Sequence, residues 1–371
     1  MPKRIVLTGG PCAGKTTARA FLSRKLADMD WKPILVPEVA TFIIGAGLKP
    51  WELENHKMPR FQELLLNTQL IFENSIFKDV TDIWNNDKRT VVVCDRGCMD
   101  GKAYMDNENF VAMLRHMKLD EVALRDRRYD GIFHLITAAD GAEKFYNLDN
   151  PARTDTPEQA RELDKKTQAA WTGAPHLVVI DNSTDFDKKL HRLLNAVRRT
   201  LGVPVALEIE RKFLIHDQIE PNAIPVPFVR IQIQQIYLRS EGGQTVRLRR
   251  RSQEGSGAVY YRTIKLPPVP GSIARPEIEQ QITADEFYSD LANRDPESDA
   301  ITKERVCFLW RNQYFELDIF LEPERLVGTT LLEVELTEEN DRVEIPDWLG
   351  KVIEVTDQPE YGNQNLAKRP Q

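Results

Sequence analysis

Cysteine and histidine are scarce in this 371-residue chain, which contains four of the first and six of the second. Four cysteines cannot supply a disulfide framework for a chain of this length. Cys94 and Cys98 form the only close pair, and no second cysteine or histidine pair completes a zinc site. We therefore expect reduced thiols and no structural zinc.

The chain also lacks a surplus of positive charge and a long apolar run. Its 57 acidic residues outnumber its 50 lysines and arginines, so the formal net charge is −7. A general nucleic-acid binder would carry a basic surplus, and no nucleic-acid partner is expected. No apolar stretch reaches membrane-spanning length, and Met1 to Arg4 lead directly into a strand-like run instead of a signal segment. These features favour a cytoplasmic protein without a transmembrane segment.

The first two hundred residues alternate between short apolar runs and helical patterns. Compact β-branched runs of this kind are typical of strands buried in a parallel sheet. They occupy 5–8, 33–37, 90–95, 131–137 and 177–181. Helical patterns occupy 15–29, 59–86, 107–116, 157–171 and 185–200. Residues 1–202 are therefore predicted to form an α/β P-loop domain, a parallel sheet flanked by helices.

After residue 204 the hydrophobic period changes to two, and turns rich in Gly, Ser and Pro separate most of the strand-like segments. Eight such segments span 205–214, 228–239, 245–251, 258–266, 275–282, 301–310, 314–321 and 330–337. Eight antiparallel strands predict a closed barrel or a sandwich over residues 205–371, with a peripheral helix near 284–292.

The run from Gly9 to Thr16 fits the pattern G-x-x-x-x-G-K-[ST], and it follows a predicted strand and opens a helix. In this setting Gly9 and Gly14 let backbone N–H groups curl around phosphate oxygens. Lys15 would reach the terminal phosphates, and the Thr16 hydroxyl would hold Mg²⁺. Thr17 follows in the same helical turn. The run predicts a P-loop that binds a nucleoside triphosphate.

Four further residues are candidates for this nucleotide site. Asp95 ends a buried strand, the usual place for a carboxylate facing Mg²⁺ or its water, with Arg96 next to it; alternatively, Asp95 caps the following turn. Glu38 follows the second strand at the edge where ligands of open α/β sheets bind, and it could equally be a solvated loop residue. Arg153 could stabilise phosphate charge from a mobile lid, or be an ordinary surface charge.

These motifs resemble the P-loop family that includes the nicotinamide-riboside kinase domain of bacterial NAD regulators and its eukaryotic AAA-domain relatives. The resemblance covers the P-loop, residues 37–39 and 95–96, and the closing run 174–182. It implies binding of ATP or GTP. Kinase activity is left open, because no acceptor pocket can be read from these motifs.

In the second half, charged residues recur at every other position on all predicted strands except the second. Residues two apart share one face of a strand. The charged set comprises Glu208, Glu210, Lys212, Arg247, Arg249, Lys265, Glu277, Glu279, Lys303, Arg305, Glu316, Asp318, Glu333 and Glu335. Two arrangements are open: the charges form the solvated outside of an ordinary barrel, or they line its lumen and are compensated by each other, by a polyanion and by metal ions.

The order of these residues resembles the CYTH superfamily of triphosphate tunnel metalloenzymes, whose signature matches Glu208-x-Glu210-x-Lys212, and the terminal run 361–367 agrees with it. The resemblance implies an eight-stranded antiparallel tunnel that binds a triphosphate or polyphosphate-like substrate with Mg²⁺ or Mn²⁺. The implied catalytic, phosphate-gripping residues are Lys212, Arg247, Arg249, Lys265, Lys303 and Arg305. The implied metal ligands are Glu208, Glu210, Asp318, Glu333 and Glu335.

The order of the two domains is similar to that of two known groups. Plant tunnel proteins carry a uridine-kinase-like domain in front, and the insect TRPL-translocation-defect protein family carries a nicotinamide-riboside-kinase-like domain. The second group is associated with GTP and phosphoinositide binding in membrane trafficking. Three functional hypotheses follow: a metal-dependent triphosphatase coupled to a nucleotide-binding domain, a GTP- and phosphoinositide-binding regulator peripheral to membranes, and a nucleoside-type small-molecule kinase.

Overall fold

The structure of the protein is a computed structural model that describes residues 2–83, 89–146, 155–203, 207–217, 219–220, 223–240, 242–267 and 275–370. The side chains of four residues inside these ranges are not described: Asn55, Leu207, Glu208 and Arg275. The chain divides into two compact units, Met1–Val197 and Arg198–Gln371.

The first unit is built on a parallel sheet with strand order β2-β3-β1-β4-β5. Its strands are β1 (Lys3–Thr8), β2 (Lys32–Val36), β3 (Thr90–Asp95), β4 (Gly131–Leu135) and β5 (Leu177–Ile180). Strands β3 and β4 are buried along their whole length, because helices cover both faces of a doubly wound sheet. All five predicted strands are confirmed in position.

Helices connect these strands within the described part of the first unit. They are α1 (Lys15–Ala27), α2 (Val39–Gly45), α3 (Met58–Ile83), α4 (Asn107–Met117), α5 (Glu121–Asp126), α6 (Pro157–Trp171) and α7 (Phe186–Leu201). The sequence does not predict α2 and α5, which are too short for a helical period to stand out. A helix with the length and hydropathy to span a membrane is not found among the described residues.

The second unit is an antiparallel sheet. Its strands are β6 (Leu207–Glu208), β7 (Glu210–Ile215), β8 (Phe228–Leu238), β9 (Thr245–Ser252), β10 (Ala258–Lys265), β11 (Arg275–Ile282), β12 (Ile301–Trp310), β13 (Gln313–Glu322), β14 (Thr330–Glu335) and β15 (Val352–Glu354). Among the described residues of this unit, two α-helices accompany the strands: α8 (Ala284–Asp290) and α9 (Asn363–Ala367). The eight predicted strands are confirmed, and the three-residue β15 is an addition that the sequence does not predict.

The sheet closes on itself through the first predicted strand. Strand β6 pairs with β11, whereas β7, which begins two residues later, pairs with β14 at the other end of the strand order. Only Ile209 separates β6 from β7, so one stretch of chain joins the two edges. The eight long segments therefore form the tunnel that the sequence predicts.

The outside of this tunnel is apolar and is covered by other parts of the chain. Val306 and Phe308 of β12, both 0% exposed, pack there with Leu332 of β14. Residues between β14 and β15, among them Leu349, cover this cluster, and Phe287 of α8 covers a second one. Because the apolar face is buried outside, the charged face is the inner one.

We predict that Leu332→Ala destabilises the second unit by about 2–5 kcal/mol, since it removes a completely buried side chain and leaves a cavity. Leu321→Ala is the matched control, because Leu321 on the neighbouring strand is 44% exposed and its loss should change stability by about 0.5 kcal/mol or less. Urea unfolding of the variants measures the difference. Equal effects would contradict this assignment of the core.

Candidate functional site

The P-loop joins β1 to α1, and two of its glycines are required by its shape. Gly9 has φ +142°, and a Cβ there would lie 2.2 Å from the carbonyl oxygen of Leu135. Gly14 has φ +82° and lies against the ring of Phe186, where a Cβ would be 2.7 Å from a ring carbon. The first turn of α1 has no side-chain cap. Its N–H groups are therefore available to an anion.

Lys15 is folded onto its own loop. Its Nζ donates to the carbonyl oxygens of Gly9 at 2.9 Å and Gly10 at 2.8 Å. Burial and the nearby Arg96 lower the pKa of Lys15 to about 8, although carboxylates partly oppose this. Thr16 and Thr17, the other residues predicted for this turn, are exposed at the start of α1.

A network of carboxylates surrounds Arg96 where β2 and β3 end. The Arg96 guanidinium donates to Glu38 at 2.7 Å and lies 3.5 Å from Asp100. Arg96 has φ +67°, which is uncommon for a residue with a side chain and which these contacts hold in place. Asp95 forms an ion pair with Arg19 of α1 at 2.9 Å. The structure therefore joins the predicted residues Glu38 and Arg96 directly.

The pKa values of Glu38 and Asp95, the two predicted carboxylates of this network, are shifted in opposite directions. Burial alone would raise the pKa of Glu38, but Arg96, a hydrogen bond from Thr41 and Lys15 together lower it to about 2. Burial and the charge of Glu38 raise the pKa of Asp95, against the effect of Lys15. Glu38 is thus a fixed negative charge, whereas Asp95 would gain most from an added cation.

Sequence reasoning missed two buried carboxylates beside this site. Asp100 accepts from the Thr8 hydroxyl at 2.7 Å and from the Trp171 indole at 2.6 Å. Asp164 of α6 accepts from the Gly10 N–H at 2.6 Å. Neither residue belongs to a motif, and their partners are far away in the sequence. The predicted Arg153 lies outside the described residues.

In the second unit, one wall of the lumen consists of β7, β12, β13 and β14. Lys303 and Arg305, 1% and 5% exposed, both pair with Asp318, which is 0% exposed. Arg305 also contacts Glu333 at 2.7 Å and pairs with Glu316. The Arg305 guanidinium thus links three strands.

Lys212 bridges two carboxylates of the same wall. Its Nζ lies 3.0 Å from Glu210 and 2.8 Å from Glu333. Burial would raise the pKa of Glu333, but Lys212, Lys303 and Arg305 hold it well below its usual range. Burial lowers the pKa of Lys303 to about 8, with Asp318 opposing the shift. Glu333 therefore stays ionised on this wall.

The opposite wall consists of β9, β10 and β11 and carries the remaining predicted basic residues. Lys265 lies 2.8 Å from Glu277, and Arg247 lies 3.6 Å from the same carboxylate. Arg249 lies 3.5 Å from Glu279. Burial, and next the charge of Arg247, lower the pKa of Arg249. These ion pairs contain three cations and two carboxylates. Those described for the first wall contain three cations and four carboxylates, so the first wall is the more acidic of the two.

Helix α9 lies at one end of the lumen and contacts both walls. Its Asn363 side chain lies 3.4 Å from both Lys303 and Glu333, and Gln364 accepts from the Thr245 hydroxyl on β9 at 2.6 Å. Ala367 of the same helix packs in an apolar cluster with Tyr237, Ile301, Phe320 and Leu331. Helix α9 therefore links the two walls at this end.

The predicted metal ligands are distributed unevenly. Glu210, Asp318 and Glu333 lie on the carboxylate-rich wall, and Glu335 is exposed at the end of β14. Glu208 lies in β6, and its side chain is outside the described residues. Across the part of the chain that is described, no group of three or more His, Cys, Asp or Glu side chains is already gathered as a metal site.

Fold and site together define a P-loop α/β unit joined in one chain to a closed antiparallel tunnel lined with paired charges. Residues 4–189 match the family model described as AAA domain. An inorganic triphosphatase from Acetivibrio thermocellus is 31% identical over 163 residues, which are 44% of this chain and 94% of that protein. The chain belongs to the AAA domain family and to the family of this inorganic triphosphatase.

Two solved structures are also similar to part of the chain. One, described as an inorganic triphosphatase, is 28% identical with a TM-score of 0.31, and the match covers 44% of this chain and 95% of that one. The other, described as a hypothetical protein, is 27% identical with a TM-score of 0.31 and covers 44% of this chain and 99% of that one.

We predict that Arg305→Met destabilises the protein by about 3–5 kcal/mol at pH 7, because it leaves buried carboxylates without their guanidinium. Arg305 is one of the cations that hold the pKa of Glu333 low, so this pKa rises in the folded variant. At low pH the folded variant then binds more protons than the folded wild type, so the penalty shrinks as the pH falls toward 4.5. Chemical denaturation at both pH values measures this.

Arg311→Met is the matched control on the turn between β12 and β13. Arg311 pairs with Glu344 at the surface, and its side chain is 63% exposed. Its loss should cost about 1 kcal/mol or less. Similar penalties for the two variants would refute the buried ion-pair network.

Proposed function

We propose that the tunnel binds a linear triphosphate and hydrolyses it to orthophosphate and diphosphate, and that the P-loop unit binds ATP or GTP. The six predicted basic residues, which all lie on the inner face of their strands, carry this proposal. A tunnel lined in this way suits a thin polyanion, because basic groups on both walls can contact phosphate oxygens along its length. Kinship with an inorganic triphosphatase over 94% of that protein's length supports the same substrate class.

The phosphate chain would displace carboxylates from the basic residues. On the β9–β11 wall, Arg247, Arg249 and Lys265 face Glu277 and Glu279 at 2.8–3.6 Å, so their donors already point into the lumen. Phosphate oxygens would replace these carboxylates as the partners of the three basic side chains. The oxygen of a water molecule then attacks a terminal phosphorus, and the bond from that phosphorus to the bridging oxygen breaks. The protein contributes mainly positioning and charge neutralisation.

The carboxylates of the other wall fit a divalent cation. Glu210 and Glu333 both lie within 3.0 Å of the Lys212 ammonium, which shows that two carboxylates can gather around one positive charge there. Carboxylate oxygens are the ligands that Mg²⁺ and Mn²⁺ prefer. Glu210 and Glu333, with Glu208, Glu335 and Asp318, are the proposed ligand set. A bound metal ion would neutralise phosphate charge and activate the attacking water.

In the P-loop unit, Lys15 and the first turn of α1 would hold the β- and γ-phosphates. Thr16 and Asp95 are the proposed groups toward Mg²⁺, in keeping with the raised pKa of Asp95. Glu38 is already engaged by Arg96. These features support nucleotide binding, and the nucleotide would regulate or accompany the chemistry of the tunnel.

A phosphoinositide-binding role would use the same basic side chains without turnover. The side chains of Arg247, Arg249 and Lys265 are only 6%, 12% and 15% exposed. A headgroup held at a membrane surface would reach such groups poorly, whereas a free triphosphate can enter the lumen. This difference favours hydrolysis.

We predict that Arg247→Ala lowers kcat/KM for inorganic triphosphate by about a hundredfold or more, because it removes a preorganised cation from the lumen. Arg250→Ala is the control, since Arg250 belongs to the other face of β9, next to Ser252. Phosphate release with Mg²⁺ and with Mn²⁺ measures both. Wild-type protein that releases no phosphate from inorganic triphosphate or nucleoside triphosphates would eliminate the proposal.

We further predict that nucleotide affinity falls as the pH rises above 8. Lys15 has a pKa of about 8 in the free protein, and bound phosphates would raise it. Binding then takes up a proton above pH 8, and the dissociation constant increases up to about tenfold per pH unit. Calorimetry at pH 8.5 in buffers of different ionisation enthalpy detects this uptake. Its absence, in protein that binds nucleotide, would contradict the role of Lys15.

A further inference from the structure

We infer that Asp164 is the positioning residue of the P-loop: its buried carboxylate fixes the phosphate-binding loop by accepting the backbone N–H of Gly10. The sequence assigns no role to this residue, which lies in the middle of α6 and is 2% exposed. The inference rests on the nucleotide binding proposed above, and one of its tests does not depend on a nucleotide.

The carboxylate of Asp164 joins three elements of the first unit. Its Oδ1 accepts from the Gly10 N–H at 2.6 Å and lies 3.1 Å from Nε2 of His134, a β4 residue that is 0% exposed. Its Oδ2 accepts from Gln168, one turn further along α6, at 3.1 Å. The loop is thus tied both to the sheet and to a helix 154 positions away in the sequence.

Asp164 is ionised at neutral pH. Burial would raise its pKa, but His134 and the hydrogen bonds from Gly10 and Gln168 lower it. A backbone N–H bound to an ionised carboxylate forms a charge-assisted hydrogen bond, which is about twice as strong as a neutral one. The contact to Gly10 is therefore a stronger restraint than an ordinary loop hydrogen bond.

The neighbouring contacts fix the same peptide groups from two directions. Asp164 accepts a hydrogen bond from the N–H of Gly10, while the Lys15 ammonium donates to the carbonyl oxygens of Gly9 and Gly10. A Cβ at position 10 would lie 2.7 Å from Cβ of Asp164, so α6 packs directly against the loop. This close approach explains why position 10 is glycine.

The far end of α6 reaches the carboxylate network of the same site. Trp171 donates from its indole to Asp100, which in turn contacts Arg96. One rigid helix therefore holds the phosphate-binding loop at Asp164 and the Glu38–Arg96–Asp100 network at Trp171. A shift of α6 would change both sides of the nucleotide site together.

The test compares Asp164→Ala, Asp164→Asn and Glu162→Ala in the full-length protein. Asn keeps an oxygen that can accept the Gly10 N–H, whereas Ala does not. Glu162 is the control on the same helix, because its side chain is 68% exposed. Two readouts are measured: hydrogen exchange of the amides of residues 9–16, and the dissociation constants of ATP and GTP at a temperature where every variant is folded.

We expect Asp164→Ala to accelerate exchange of the loop at least tenfold and to weaken nucleotide binding by about tenfold to a hundredfold, the range that loss of a charge-assisted hydrogen bond gives. Asp164→Asn keeps an acceptor but loses the negative charge, so it should recover about half of the lost free energy in both readouts, and Glu162→Ala should match wild type. Rescue by Asn separates positioning from a general loss of stability, which either substitution can cause.

The inference is overturned if the loop of Asp164→Ala exchanges like that of wild type, or if Asn fails to rescue a loss seen with Ala. Should Asp164→Ala not fold, Asp164→Thr serves instead, since it fills part of the volume but its hydroxyl is one bond too short. If wild-type protein binds no nucleotide, the proposed nucleotide binding fails, while loop exchange still decides the role of Asp164.

Discussion

The second unit depends on the pairing of opposite charges inside a closed sheet. Lys303, Arg305 and Asp318 are at most 5% exposed, and each would cost several kcal/mol if it stood alone in this interior. Pairing offsets most of this cost, yet a protein with apolar residues of similar size at these positions would be as stable or more stable. Stability therefore does not explain why the lumen is charged. The proposed exchange of the lumen's own carboxylates for the oxygens of a bound polyanion would explain it.

The same principle organises the P-loop unit on a smaller scale. Lys15 donates to carbonyl oxygens of its own loop and Arg96 is paired with Glu38, so both cations already have internal partners. A nucleotide would replace the partners of Lys15, just as a triphosphate would replace Glu277 and Glu279 in the tunnel. Both units thus keep the groups that we propose to bind phosphate ordered before a ligand arrives, which would lower the entropy lost on binding.

Much of the fold follows from local pattern, whereas the inner face of the tunnel does not. The alternating pattern on β12 places Arg305 and Val306 on opposite faces of the strand. It does not tell which of the two faces points into the tunnel. The choice is made by segments outside the predicted strands, such as the one around Leu349, which bury the apolar face. Asp164 was beyond sequence reasoning for a related reason: its partner Gly10 is 154 positions away, and no motif connects them.

We propose that the tunnel, and not the P-loop, carries the groups that hydrolyse triphosphate. Phosphorus NMR of inorganic triphosphate with Mg²⁺ or Mn²⁺ tests it most directly, using wild type, Lys15→Ala and Arg249→Ala. We predict that wild type and Lys15→Ala both hydrolyse triphosphate, and that each releases one diphosphate for every orthophosphate. Arg249→Ala should be severely impaired. Turnover that disappears in Lys15→Ala and persists in Arg249→Ala would contradict the account.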